Sequence, residues 1–385
     1  MKINIAQVIF SAAMGGAESV VQQIITHLDA EKFNCFLITD DEVKSEFEGV
    51  YRNIFSIGRH YELFDFSLAN RIFEYINQYF PIQRKLLDFK IGKIARFLLE
   101  KKVAIAHSHL AWDHYALSKI RNDGIKKIMT IHGSFGLDTG IPTPIGPKEI
   151  VGIVNNAHCI TSACGYFLKL LKDNGLRPGI KCEVIENGIN RDTIEGKRES
   201  VISDGRLKMT FMGGDKFNKG ADILIKALDI VVNKHGYNKV HVDVLRDVGI
   251  NSEMREMVRK YHIENCVTFV GYVSDNDHLR FISRNELFVL CSRSEGVANT
   301  LMEAIGLDKP ILATDVGGTG EVVIHNRNGY LCQPTPESLA EGIMFYINNP
   351  SKLKEYSEAN RNIKSRFYWD NVVEKYEKLY KKLVK

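Results

Sequence analysis

Apolar residues along the chain fall in short runs that end in a glycine or polar turn, and each run is followed by a stretch with helical apolar spacing. INIAQVIF, from Ile3, reads as a strand, MGGAE as a turn, SVVQQIITHLDA as an amphipathic helix and CFLITD as a second strand, which together make a β-α-β unit. The alternation continues through VAIAHSHL, a helix around Ala116 to Arg121, KIMTIHG, a proline-containing loop from Ile141 to Pro147, a helix near Glu149 to Asn155, and CITSAC. Such alternation needs crossover connections, so a parallel sheet with helices on both faces is predicted. Past Asn187 the pattern restarts with LKMTFMGG, a helix from Ala221 to Asn233, KVHVDVL, a helix from Ser252 to Tyr261, VTFVGYV, ELFVLCS, a helix from Thr300 to Gly306, and PILATDV. Two doubly wound domains follow, with the boundary between Asn187 and Asp204, where Asn-Gly, Arg and Ser replace the periodic apolar residues.

The length of 385 residues suits two cores of roughly 150 to 200 residues each. With 44% apolar and 25% charged residues the chain is not disordered, and a formal charge of +4 lacks the basic excess of a nucleic-acid binder. Seven scattered cysteines without a C-x-x-C pair point to a reducing compartment. No run approaches the ~18 residues of a bilayer-spanning helix. The stretch after Lys2 carries no charge until Glu18, in the manner of a signal peptide, but Asn4 and Gln7 interrupt it, so it reads as a buried strand. The expected location is cytoplasmic.

One segment departs from the even charge balance. Between Ile82 and Lys102, Arg84, Lys85, Lys90, Lys93, Arg96, Lys101 and Lys102 stand against Asp88 and Glu100, with apolar residues at helical spacing. Two readings stay open: a basic amphipathic surface for anionic lipid or an anionic acceptor, or a solvated helix face whose cation stems cover a core stripe.

Open parallel sheets bind ligands at the carboxyl ends of their strands, so residues just past each strand carry the candidate chemistry. Gly15-Gly16-Ala17-Glu18 is a glycine turn entering a helix, where backbone N–H groups favour phosphate; it is not G-x-G-x-x-G, which argues against a dinucleotide oxidoreductase. In Ser294-Glu295-Gly296-Val297-Ala298-Asn299-Thr300-Leu301-Met302-Glu303, Glu295 ends a strand in a small glycine-containing loop and Glu303 lies inside the next helix. That spacing lets two carboxylates meet two parts of one ligand while the backbone N–H groups between them face its phosphates. Asp275-Asn276-Asp277 has the form of a metal-binding D-x-D but sits where helix N-caps are preferred. His107-x-His109 reads as strand-end packing with His109 lining a cleft, because no third ligand is in sequence reach. No metal is expected.

With Gly15-Gly16-Ala17-Glu18, His107 to His109, Thr130-Ile131-His132-Gly133, Glu186-Asn187-Gly188-Ile189, Lys219-Gly220, Val270-Gly271, the two glutamates and the strand Pro310 to Val316, the sequence resembles the retaining glycosyltransferases of family 4, which have the GT-B fold. The resemblance implies two Rossmann-like domains facing a cleft: an acceptor-binding domain over 1–190, a nucleotide-sugar-binding domain over 191–366, and a final helix over 367–385 crossing back to the first. Phe367, Trp369, Val373 and Tyr376 are then expected to pack against residues before Asn187. It further implies that Glu295 takes hydroxyls of the donor sugar, that Glu303 grips the ribose diol, that His132 stands beside the transferred sugar, and that Gly16 and Lys219 hold the diphosphate. Gly15, Lys216, Tyr272 and the loop Gly296, Val297, Ala298, Asn299 and Thr300 complete the donor site, with the nucleobase near Tyr272, and His109 and Asp113 stand on the acceptor side. Where the family carries an arginine before the phosphate lysine, this chain has Gly214, which leaves Lys216 or Arg246 to supply the second positive charge, or the leaving group to be held more by backbone N–H groups than usual.

The expected activity is metal-independent transfer of a hexose or N-acetylhexosamine from a nucleotide sugar to a hydroxyl, without a cofactor. A UDP-sugar is favoured and GDP-mannose is second. The acceptor is expected to be a glycan or lipid-linked glycan of a surface polysaccharide pathway, with peripheral contact at the cytoplasmic face of an anionic membrane. A catalytically silent nucleotide-sugar-binding subunit and a nucleotide-sugar epimerase are the alternatives.

Overall fold

The computed structural model describes residues 2–59, 82–138, 145–214, 217–246, 249, 252–273 and 277–385. Lys216, and Asp275 and Asn276 of the acidic tripeptide, lie outside the described residues. The chain divides into two compact units, Met1–Glu186 with Val372–Lys385, and Asn187–Asn371.

In the first unit, β1 (Ile3–Val8), β2 (Phe33–Thr39), β3 (Ile54–Ser56), β4 (Ile105–Ser108), β5 (Lys126–Ile131), β6 (Cys159–Ser162) and β7 (Lys181–Val184) form a seven-stranded sheet in the order β3-β2-β1-β4-β5-β6-β7. Neighbouring strands pair in parallel. The central strands are buried along their length, as both-face coverage by helices requires, whereas β3 and most of β7 are half-buried edges. Order reverses between β1 and β4, so the carboxyl ends of these two strands flank the first unit's switch point.

In the second unit, β8 (Leu207–Met212), β9 (Val240–Leu245), β10 (Val267–Gly271), β11 (Leu287–Leu290), β12 (Ile311–Thr314) and β13 (Gly329–Cys332) run in the order β10-β9-β8-β11-β12-β13, again parallel, with the switch between β8 and β11. The core joins Met209, Phe211, Leu224, Leu228, Val242 and Val289 to Tyr346 and Tyr356. The Tyr346 hydroxyl donates to the Ile311 carbonyl at 2.8 Å, so this large aromatic is buried without leaving its polar end unpaired.

The last helix, Trp369–Leu383, is shared differently from expectation: the return to the first unit begins at Val372, and the first boundary falls at Glu186. Val373 and Tyr376 lie in the first unit, but Phe367 and Trp369 belong to the second. The reason is local pairing, because Ile189 N–H donates to the Phe367 carbonyl at 2.7 Å and Trp369 N–H to the Ile189 carbonyl at 3.2 Å. A Cβ on Gly188 would fall within the Trp369 indole, so that glycine is required for the contact.

Gly220 precedes the helix Ala221–Asp229 with a φ of +69°, and a Cβ there would fall on the Cys291 carbonyl oxygen. Gly236 has the same φ of +69° in open space. Both alanine variants meet the left-handed penalty of about 1–2 kcal/mol, but only Gly220→Ala also displaces backbone. Urea unfolding of the full chain is therefore expected to show Gly220→Ala less stable than Gly236→Ala by at least about 2 kcal/mol; equal losses would contradict the close approach of the two strand ends.

Candidate functional site

In the second unit the carboxyl ends of β8 and β11 bring Lys219 and Glu295 together, with Lys219 Nζ donating to Glu295 Oε2 at 2.6 Å. Ser292 Oγ donates to the same oxygen at 3.1 Å. Two glycines make the approach possible: Gly317, with a φ of +56°, lies so near the Glu295 carbonyl that a Cβ would overlap it, and a Cβ on Gly213 would meet the Lys219 stem at 2.7 Å. Gly214 has a φ of +58°. An arginine at that position would be strained in the left-handed region, which is a physical reason for the departure noted in the sequence.

The turn that carries Lys219 is clamped from below by a residue the sequence did not single out. Arg293 donates two hydrogen bonds to the Asp222 carboxylate, at 2.8 and 2.7 Å, and a third to the Phe217 carbonyl at 2.7 Å. This bidentate pair holds the Asp222 carboxyl below its usual range. Arg246 stands past the end of β9 with a φ of +81°, its N–H donating to the Gly271 carbonyl at 2.9 Å, and its side chain is exposed. Tyr272 follows β10 and is 77% exposed.

The loop Gly296–Ala298 leads into the helix Asn299–Gly306, whose N-cap, Ala298, supplies no side-chain bond. Backbone N–H groups at this helix start carry partial positive charge. Asn187 fixes the loop by donating from Nδ2 to Asn299 Oδ1 at 2.8 Å and to the Val297 carbonyl at 3.3 Å. Glu303 lies in the second turn, where His278 Nε2 donates to its Oε2 at 3.0 Å. Both Asn187 and His278 were missed as site residues, since their partners are distant in sequence. Asp277 pairs with Lys197 at 2.7 Å and Arg280 at 3.2 Å. Among the described residues no three His, Cys, Asp or Glu are grouped to hold a metal.

In the first unit Gly15 caps the helix Gly16–His27, and the carboxylate of buried Glu18 lies 3.0 Å from where a Gly15 Cβ would stand. That helix start therefore already faces a carboxylate, unlike the start at Asn299. His107 and His109 follow from β4 and are fully buried, as are Asp113 and His114. Asp113 Oδ2 accepts the N–H groups of His109 and Leu110, at 2.5 and 2.7 Å, so it closes the turn into the helix Ala111–Lys119. His109 and Asp113 were expected on the acceptor side; both are fully buried, so neither opens its side chain to solvent. Half-buried His132, past β5, has Nε2 3.2 Å from His109 Nδ1. Burial holds His107 and His109 well below the usual imidazole range, and pushes His132 down to about 4 and His114 to about 3. These rings are neutral at pH 7, which makes them hydrogen-bonding groups there rather than cations.

Known families divide the chain in the same way. The family model for Glycosyltransferase Family 4 matches residues 14–193, and that for Glycosyl transferases group 1 matches residues 192–363. An uncharacterized glycosyltransferase of Methanocaldococcus jannaschii is 27% identical over 305 residues, which is 77% of this chain and 79% of the relative. The N-acetyl-alpha-D-glucosaminyl L-malate synthase of Bacillus anthracis is 23% identical over 322 residues, 79% of this chain and 82% of its own length. The fold of Anabaena HepE, crystallised with UDP, superposes with a TM-score of 0.77 at 17% identity over 99% of this chain and 100% of that one. With one model on each half and two parallel-sheet units beneath them, the chain belongs to the GT-B glycosyltransferases of the family 4 type.

Proposed function

We propose that the protein is a retaining, metal-independent glycosyltransferase that moves a hexose or N-acetylhexosamine from a UDP-sugar to a hydroxyl of a glycan or lipid-linked glycan. The observation that carries this reading is the contact between Lys219 and Glu295 at the second unit's switch point, beside a helix start without a side-chain cap and followed by Glu303. A nucleoside diphosphate needs a cation and N–H donors for its phosphates and a carboxylate for its ribose diol, and these groups follow the neighbouring strands β8 and β11 here. The UDP bound by Anabaena HepE supports the nucleotide, with GDP-mannose second, and the name of the Bacillus anthracis relative supports an N-acetylhexosamine.

In the reaction the bond from the anomeric carbon to the leaving phosphate oxygen breaks and a bond to the acceptor oxygen forms on the same face. The acceptor proton passes to the departing phosphate. Lys219 and the N–H groups of residues 296–300 stabilise the charge that develops on the diphosphate. Glu295 receives sugar hydroxyls once the donor has drawn Lys219 away from it, and Gly16 and His132 serve diphosphate and sugar. Arg246, exposed past β9, is the second cation in place of the missing arginine.

Acceptor delivery by lipid rests on the helix Ile82–Glu100. Phe89 is 88% exposed and Leu99 57%, and Lys85, Lys93 and Arg96 are exposed with them. Lys90 does not belong to that face, because its Nζ donates to the Gly58 and Arg59 carbonyls. An apolar ring between cations is the arrangement that inserts at an anionic interface, at about 1 kcal/mol per Lys or Arg. No helix among the described residues is long and apolar enough to cross a membrane.

Titration calorimetry with UDP is expected to separate the glutamates. Glu303→Gln should weaken binding by about 1.5–3 kcal/mol, the scale of a charged hydrogen bond, whereas Glu295→Gln should spare or tighten it by releasing Lys219. Equal weakening would refute the division of roles. Sedimentation with phosphatidylglycerol vesicles should pull down the wild type at low salt and release it at high salt, while Lys93→Glu/Arg96→Glu should stay in solution with unchanged circular dichroism. A wild type that ignores the vesicles would make the acceptor a soluble one.

A further inference from the structure

We propose that Gln7, oriented by Tyr380 and acting through His109, fixes the proton of His132 on Nε2, so that His132 presents Nδ1 as a hydrogen-bond acceptor. The role of His132 beside the sugar rests on the function proposed above; the position of its proton does not.

The argument follows one chain of buried polar groups in the first unit. Gln7 on β1 is fully buried, and its amide can only donate from nitrogen and only accept at oxygen. Nε2 donates to the Tyr380 hydroxyl at 3.0 Å. The same hydroxyl lies 2.8 Å from His107 Nδ1, and His107 Nε2 lies 2.6 Å from Thr130 Oγ1. Thr130 Oγ1 lies 2.5 Å from Thr161 Oγ1, which continues the chain.

At the other end of the amide, Gln7 Oε1 lies 2.8 Å from His109 Nε2 and can only accept, so His109 carries its hydrogen there. A neutral imidazole has one N–H, which leaves His109 Nδ1 as a bare lone pair. The atom 3.2 Å from it is His132 Nε2, which must therefore be the donor. His132 Nδ1 is left without hydrogen. Burial keeps these rings neutral, with His107 and His109 held well below the usual imidazole range and His132 at about 4, so a doubly protonated ring does not relax the constraint at pH 7. The imidazoles are also held in register, with ring centroids 4.3 Å apart for His107 and His109 and 5.5 Å for His109 and His132.

The consequence is chemical selectivity. An Nδ1 acceptor takes a hydrogen bond from a hydroxyl and repels a phosphate or carbonyl oxygen, so His132 contacts a hydroxyl of the substrate and not the leaving diphosphate. Gln7, His109 and Tyr380 are positioning residues, and the last of them comes from the C-terminal helix.

The test is a long-range proton–nitrogen correlation spectrum of the full chain labelled at histidine nitrogen, recorded at pH 7.5, with the His132 signals assigned by their loss in His132→Gln. The expected wild-type spectrum has His132 Nε2 protonated and Nδ1 bare. Tyr380→Phe keeps the ring but removes the hydroxyl that orients the amide, and Gln7→Leu removes the acceptor for His109. Both variants should show His132 protonated wholly or partly on Nδ1, with kcat about tenfold lower and the donor KM little changed. A wild-type proton on Nδ1, or an unchanged His132 in Tyr380→Phe, would overturn the proposal, and Tyr380→Phe decides alone should Gln7→Leu not fold. A tautomer shift that leaves kcat untouched would uphold the relay and remove His132 from the transfer reaction.

Discussion

Lys219 and Glu295 can meet only because strand order reverses at β8, which sets the end of that strand beside the end of β11. Much of the surrounding sequence serves this contact. Glycines at 213, 220 and 317 clear the space, and the Arg293–Asp222 pair holds the turn from the far side. An ion pair partly removed from water is costly to break unless something replaces each partner. On the function we propose, a nucleotide sugar would do so, since it carries an anion for the lysine and hydroxyls for the carboxylate, and the pair would be what the donor displaces.

The first unit follows a different rule. Its switch point carries no cation–carboxylate pair among the described contacts, but a line of neutral polar groups buried to near completion: Gln7, His107, His109, Thr130, Thr161 and Tyr380. Burying so many donors and acceptors is tolerable only when each is matched, and a matched chain has a definite polarity. The C-terminal helix is a member of that chain through Tyr380, and it also supplies Glu377, which accepts the Asp29 N–H at 2.9 Å, and Lys375, which pairs with Glu186 at 2.6 Å. Residues from the far end of the sequence therefore help to set the chemistry at the end of β4.

The central strands were legible because a strand covered on both faces is mostly apolar, and KIMTIHG, ELFVLCS and PILATDV announce themselves in that way. The two edge strands of the first unit do not. Ile54–Ser56 is three residues long and half-buried, and Lys181–Val184 alternates with charge, so neither stood out from the loops around it. Glu295, Glu303 and Lys219 were legible from one local pattern and one glycine turn. Asn187, His278 and Arg293 were not, because each acts through a partner far along the chain, and a single sequence does not report such pairs. His109 and Asp113 were picked out by strand position, yet strand position does not distinguish a residue that is open to a ligand from one that is fully buried, as both of these are.

The central claim is that the donor diphosphate takes Lys219 from Glu295. A crystal structure of the chain with UDP and an unreactive sugar analogue tests it most directly. The account predicts Lys219 Nζ within hydrogen-bonding reach of a phosphate oxygen and Glu295 accepting from a sugar hydroxyl, with the two side chains parted. A diphosphate bound elsewhere, with Lys219 still 2.6 Å from Glu295, would contradict it.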